Sequence, residues 1–221
     1  MKCLSSQHLQ QNCLFLGGTH LVNHEQTGTS ERKNRTKEHL KSAFIKLVKE
    51  KGYHAVTVKD IVDKAAYNRS TFYVHYQDKI ELAEDLRASM LRGLEESVGK
   101  LYIPGHKVYT ANLGTPSFNI VAYIYENRDF FELITYEDTL PGLHTEFPQT
   151  ILKIYKERFI FETINNIPVN MDYFKQYTAY GFHGLVLSWI RNGFRESRED
   201  FIKEVIDLTR THIYSVEYVR E

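Results

Sequence analysis

Cysteine is nearly absent from this 221-residue chain, and the two present, Cys3 and Cys13, both lie at its start. No disulfide can staple the body, which points to a reducing, cytoplasmic setting. Long apolar runs are missing too, and Ser188 interrupts the best of them, so no membrane-spanning helix is expected. Cys13-Leu14-Phe15-Leu16 is too short for a secretory core. The chain shows no internal repeat and no low-complexity bias, which excludes solenoid, collagen-like and wholly disordered classes. Also lacking are a Gly-x-Ser-x-Gly elbow, a Walker-type loop, a dinucleotide fingerprint and a His-Glu-x-x-His pair. An enzyme reading would rest on scattered carboxylates alone, and no cofactor is expected.

What is present is aromatic and unevenly charged. The 15 Tyr and 13 Phe are enough for a packed core, and the length suits one small domain plus a medium one. Net charge is zero only as a sum. Glu31 to Asp78 holds 11 Lys and Arg against 6 Asp and Glu, whereas Lys79 to Glu221 holds 16 against 21. A basic head on an acidic body suits a phosphate-binding module joined to a second domain, although such splits also arise by chance.

Residues 1–30 have neither helical nor strand period and read as a disordered tail. Cys3, His8, Cys13, His20 and His24 are zinc-ligand types, but at no compact spacing. Gly17-Gly18 is also what a purine-rich ribosome-binding stretch would encode, with initiation near Val22; N-terminal mass spectrometry tests that reading.

From Glu31 to Lys51 the spacing of Leu40, Ala43, Phe44 and Leu47 predicts a helix with one buried face, ended by Gly52. Arg32, Lys33, Arg35 and Lys37 open it, either against a DNA backbone or as an ordinary solvated face. Thr57 with Asp60 makes a capping pair for a second helix, whose Val58, Ile61, Val62 and Ala65 share a face. Ala66-Tyr67-Asn68 breaks that period, and Asn68 caps a short third helix, Arg69 to His75. Helix, turn and helix in this order make a helix-turn-helix, whose second member can enter the major groove. Phe72 points inward, with Tyr76 one turn on, which leaves Arg69, Ser70, Thr71, Tyr73, Val74 and His75 outside. That mixture suits base reading: Arg for guanine edges, hydroxyls for adaptable bonds, an apolar group for a thymine methyl. A partnerless surface helix pair would show the same periodicity. Asp78 caps the next helix, and Lys79 in its first turn is placed to meet a phosphate.

Ala65 to Tyr76, followed by Asp78, Lys79 and Leu82 and preceded by Phe44, Leu47, Gly52, Tyr53 and Thr57, resembles the DNA-binding signature of the TetR/AcrR regulators. The family usually has Gly where Ala66 stands, a small aliphatic at Tyr67 and Phe at Tyr76. The last change adds a hydroxyl that needs a partner. The resemblance implies an all-α protein, with a three-helix helix-turn-helix domain at 31–78 and a helical effector-binding and dimerisation domain at 79–221. It implies a homodimer on palindromic double-stranded DNA, most simply a repressor released by a small-molecule effector. The DNA contacts would come from Thr57, Asn68, Arg69, Ser70, Thr71, Tyr73, Val74, His75 and Lys79.

Within the second domain a long helix runs from Asp78 to about Gly99, followed by a loop over Lys100 to Thr115. Further helices are expected from Thr115 to about Tyr136 and from near Pro148 to about Asn165. Two more run from Met171 or Asp172 to Asn192 and from the Ser197 cap through Ile213. Gly181 and Gly184 each cost roughly 1 kcal/mol inside a helix relative to Ala, so they suggest close approach of another backbone. Leu185, Trp189, Phe201, Val205 and Leu208 would then complete a two-helix face that pairs with its copy. GFHGLVLSWIRNGFRES also resembles the C-terminal domain of the DhaS-like subgroup, which leaves open an adaptor or coactivator acting through a protein partner. Tyr123, Tyr155, Tyr177 and His183 are candidate walls of an effector pocket, although aromatic residues with polar tips are more often core. His144 and His183 lack the spacing of a metal pair.

Overall fold

A computed structural model describes residues 24–100 and 102–219. Nine α-helices and three short strands form among them. Helix α1, His24–Lys51, begins inside the stretch expected to be tail; residues 1–23, with four of the five zinc-type residues, lie outside the described part. Helix α2 is Val58–Ala65, α3 is Arg69–His75 and α4 is Lys79–Ser97. Leu40, Phe44, Val48, Ile61, Phe72, Tyr76, Leu82 and Leu86 close one core among these four, each at most 2% exposed. The starts of α2, α3 and α4 each have a local cause. Thr57 and Asp60 cap α2 reciprocally, Asn68 accepts from the Thr71 amide at α3, and Asp78 accepts from the Ile80 and Glu81 amides at α4.

The body departs from the expected run of long helices. Its first helical region divides into 3-10 turns flanking α5, Asn119–Glu126, and α6, Arg128–Phe131. Helix α7, Leu143–Arg158, starts earlier than Pro148 and stops before Phe159. Helices α8, Met171–Arg191, and α9, Arg198–Thr209, follow. The predominantly helical class holds, with one addition. Strands β1, Lys107–Tyr109, β2, Phe159–Thr163, and β3, Ile213–Tyr218, make an antiparallel sheet in the order β1-β3-β2.

Phe159–Thr163, expected to be helical, is thus a strand, and Ile213, expected to close the last helix, opens another. FIFET and IYSVEY are rich in aromatic and β-branched residues, and Phe161 and Val216 meet in register with Val108. Ile213, expected on the apolar stripe of the last helix, is instead buried at the start of β3. Phe161, Ile213 and Val216 form a small second core, onto which Tyr155, Phe159 and Phe174 pack.

Head and body meet at a few polar clasps. Asp138, past α6, accepts from the Tyr53 amide through its carbonyl and from the His54 amide and ring through its carboxylate. Lys49 reaches Asp129 at 2.7 Å and Glu132 at 2.6 Å, and Arg87 on α4 holds Glu146 at 2.8 Å.

Candidate nucleic-acid interface

The short helix α3 presents what its sequence promised. Phe72 is fully buried, whereas Tyr73 is 52% and Val74 71% exposed. Arg69 and Ser70 are exposed, and Thr71 and His75 are half-buried. Asn68 does more than cap. Its Oδ1 accepts from the Thr71 amide, the Thr71 hydroxyl and the Ser70 hydroxyl at 2.7–2.8 Å, so these hydroxyls are oriented before any ligand arrives. Thr57 is held in a similar way, its hydroxyl donating to Asp60 at 2.6 Å. The Lys51 ammonium at 2.7 Å, together with these Thr57 bonds, keeps the Asp60 carboxyl far below the usual carboxylate range.

His75 stays neutral to lower pH than usual, because burial disfavours its charged form and Lys37 and Lys33 add repulsion.

The turn departures have structural answers. Ala66 takes the left-handed conformation, φ 57°, that the family usually gives to glycine. Strain of roughly 1–2 kcal/mol goes with that position for a residue with a Cβ. The Tyr67 hydroxyl meets His39 Nδ1 on α1 at 3.0 Å. Tyr76 donates to Asp85 at 2.8 Å, and Lys41 reaches the same carboxylate at 3.1 Å and the Ser89 hydroxyl at 3.3 Å. The added hydroxyl thus ties the end of α3 to α4 and α1. A ring that has gained a polar tip is the sequence signal for such a link, although its partner lies outside any local motif.

Lys79 has partners within the chain that the sequence did not suggest. Its ammonium donates to the carbonyls of Tyr53, His54 and Val56 at 2.8–3.0 Å and sits 4.7 Å from the Tyr53 ring. It fastens α4 to the turn after α1, because three carbonyls converge where a phosphate contact was expected. Lys37 also turns inward, toward Asp85 at 3.8 Å and over the Tyr76 ring.

The four effector-pocket candidates do not converge. Tyr123 donates to the Met90 carbonyl at 3.1 Å, between α5 and α4. His183 packs on Phe147, and its Nε2 is buried without a partner among the described residues. Tyr123, Phe131, Phe147 and His183 form one continuous row of rings, so packing rather than a cavity joins the first to the last. Tyr177 points outward, 73% exposed. Tyr155 lines a void of about 50 Å³, with Leu113, Phe118 and Phe161 among its other walls. Ligand sites run to several hundred Å³, so this void is far too small as it stands.

The expected pairing face also divides. Trp189 stacks on Phe201 at 4.3 Å, donates to the Glu196 carbonyl at 3.1 Å and is buried, as is Val205. These three hold α8 to α9 inside one protomer. Leu185 is half-buried against the same core. Gly181 and Gly184 face open space, with nothing within 4 Å of an added Cβ. They share an outward stripe of α8 with Tyr173, Tyr177 and Tyr180, and Leu208 on α9 is 47% exposed.

Among the described residues no helix is long and apolar enough to cross a membrane. No cluster of three potential metal ligands forms among them either.

Comparison with known proteins meets this geometry at both ends of the chain. Residues 42–86 match the family described as bacterial regulatory proteins, tetR family, and residues 117–211 match a TetR-type model described as transcriptional regulator C-terminal region. A curated relative, an uncharacterized HTH-type transcriptional regulator of Bacillus subtilis, is 21% identical over 171 residues, 76% of this chain. The match spans only 43% of that relative's own length. Among solved structures, a TetR transcriptional regulator from Streptococcus agalactiae has a TM-score of 0.54 at 22% identity, covering 83% of this chain and 98% of that one. The dihydroxyacetone kinase operon activator DhaS also gives 0.54, at 18% identity, covering 80% and 94%. These likenesses concern the fold. The two family models between them take in most of the chain, one over the capped helix-turn-helix and the other over the helices behind it. The chain therefore belongs to the TetR family of transcriptional regulators.

Proposed function

We propose that the protein is a homodimeric repressor that binds a palindromic operator through α3 and is released by a small-molecule effector held in the body. The observation that carries the reading is α3 itself. A helix of seven residues buries Phe72, turns Arg69, Ser70, Tyr73 and Val74 outward and leaves Thr71 and His75 half-buried beside them. The exposed α8 stripe of tyrosines and glycines, with Leu208, is a surface through which a second copy can dock, since the two glycines allow close backbone approach. Two-fold symmetry would then set the reading helices about 34–36 Å apart, one turn of DNA. An effector would act by its differential affinity for head spacings that fit or miss that turn. No catalytic step is assigned to any residue.

Footprinting over the upstream region of its own gene tests this reading. A protected palindrome is expected, and Arg69→Ala should relax sequence preference, costing about 1–3 kcal/mol at one base pair. Absence of any protected site would remove the proposal.

A second reading is kept for one reason: DhaS, of similar fold, is described as an activator. The departures at Ala66 and Tyr67 suit a head that works with a protein partner instead of alone. A gel shift with the purified chain separates the two, because an adaptor would retard DNA only when its partner is present.

A further inference from the structure

The far end of α4 borders a cleft that none of the four expected pocket residues lines. Its volume is about 600 Å³, in the range that small-molecule sites occupy. Helix α4 and its exit contribute Arg92, Glu95, Glu96 and Val98, α7 contributes its last residue, Arg158, and β3 its last, Tyr218.

These walls are fixed before any ligand arrives. The Val219 amide donates to the Arg158 carbonyl at 3.0 Å and the Gly105 amide to the Tyr218 carbonyl at 3.0 Å, so the end of β3 is tied both to α7 and to the loop after α4. The Tyr218 ring stacks on Tyr102 at 6.0 Å, Phe159 stands edge-on to both, and the Tyr102 hydroxyl donates to the Ser117 carbonyl at 3.3 Å. Gly99, at φ 80°, lets the chain leave α4 against the Tyr218 ring, where an added Cβ would collide. One wall of the cleft is thus aromatic and preset.

The charges beside it are unbalanced. Arg87, Arg158 and Arg198 are the half-buried arginines among the described residues; Arg87 holds Glu146 and Arg198 holds Glu199, whereas Arg158 has no carboxylate within ion-pair reach among them. A guanidinium partly out of water and without a counter-ion is unfavourable unless something supplies the opposite charge. Arg92 and Lys100 add positive charge to the same cleft. Of its two carboxylates, Glu95 is already held by Lys153 at 2.9 Å, which leaves Glu96 alone against three cations. In a body with 16 Lys and Arg against 21 Asp and Glu, such a local excess is not the background.

We propose that this cleft binds a small organic anion, a carboxylate or phosphate ester on a flat apolar body, with Arg158 and Arg92 taking the anionic group and the Tyr218 ring, Val98 and Pro104 covering the rest. A guanidinium supplies paired N–H donors matched to either oxyanion, and the ring supplies a face for stacking. The inference deepens the effector reading above by giving the ligand a class and a seat, and it rests on that reading only for a consequence on DNA.

Calorimetry on the full chain with phenyl phosphate and benzoate, which share the ring and differ in the anion, tests the site. Saturable binding of at least one of them, at one site per chain, is expected. Inorganic phosphate lacks the ring and benzyl alcohol lacks the charge, so each should bind about tenfold more weakly or worse. Arg158→Gln should weaken the bound probe about tenfold or more, and Arg92→Gln, whose side chain is exposed so that folding is spared, about threefold. Lys156→Gln removes the same charge from an exposed position of α7 outside the cleft and should keep wild-type affinity. No saturable binding of either probe, inorganic phosphate binding as tightly, or equal loss in Lys156→Gln would overturn the site. Protection of an operator by a chain that binds neither probe would do so while leaving the regulator reading intact. A bound probe that leaves operator affinity unchanged would keep the site and remove it as the seat of the effector.

Discussion

Head and body were written in different codes. In the head the starts of α2, α3 and α4 are set within a few residues: Thr57 with Asp60, Asn68 with Thr71, Asp78 with Ile80 and Glu81. In the body the ends of α7 and α9 are set by partners far along the chain, because Phe159–Thr163 and Ile213–Tyr218 pair with each other and with Lys107–Tyr109. Local capping makes a motif legible and also transferable between proteins. Long-range pairing hides the body's boundaries from any one stretch of sequence.

The contrast can be broken or sharpened by experiment. The largest expected effect is in the body, where Trp189→Ala removes a buried indole stacked on Phe201 and should cost about 3–5 kcal/mol. Thermal melting of the variant should fall steeply even at high protein concentration. Loss confined to dilute samples would return Trp189 to a pairing face between copies. In the head, Lys79→Ala leaves three carbonyls without their donor and should cost about 2 kcal/mol. Its salt dependence of DNA binding should match the wild type, and a shallower slope would restore the phosphate contact expected from sequence.

Ala66→Gly should act in the opposite direction, relieving the left-handed strain and raising stability by about 1 kcal/mol. A denaturant midpoint that falls would mean the Cβ packs usefully there. The smallest effect is one of pH. Burial lowers the pKa of His183 and, chiefly by the same cause, of His212. Below the usual imidazole range near 6.5 the unfolded chain then binds more protons than the folded one. Stability from these groups is complete above that range and declines as pH falls through it toward their folded values. Urea titrations at pH 7.5 and 5.5 check this, and His183→Leu should show a weaker decline than wild type.

Legibility followed the same division. Helix α3, its inward Phe72 and its outward set were visible because a cap and a period of 3.6 lie within one stretch. The carbonyl partners of Lys79 were not legible, because a lysine in a first turn looks the same whether it faces a phosphate or a ring of carbonyls. Trp189, Phe201 and Val205 were correctly read as an apolar face, but the period cannot say whether a neighbouring helix or a second copy covers it. Tyr123, Tyr155, Tyr177 and His183 share a chemistry and no location. Their dispersal became visible only when α5, α7 and α8 were set side by side.

The sequence by itself determined the helix-turn-helix, its caps and the polarity of α3, since those depend on hydrogen bonds and side-chain direction within about ten residues. Only the tertiary structure decided that Tyr76 meets Asp85, that Lys79 is a fastener, that two apolar segments become strands, and that Arg92 and Arg158 share a cleft with the Tyr102 and Tyr218 rings. Each of these joins residues from separate elements, and the free energy of such a contact depends on what the rest of the chain brings to the same place.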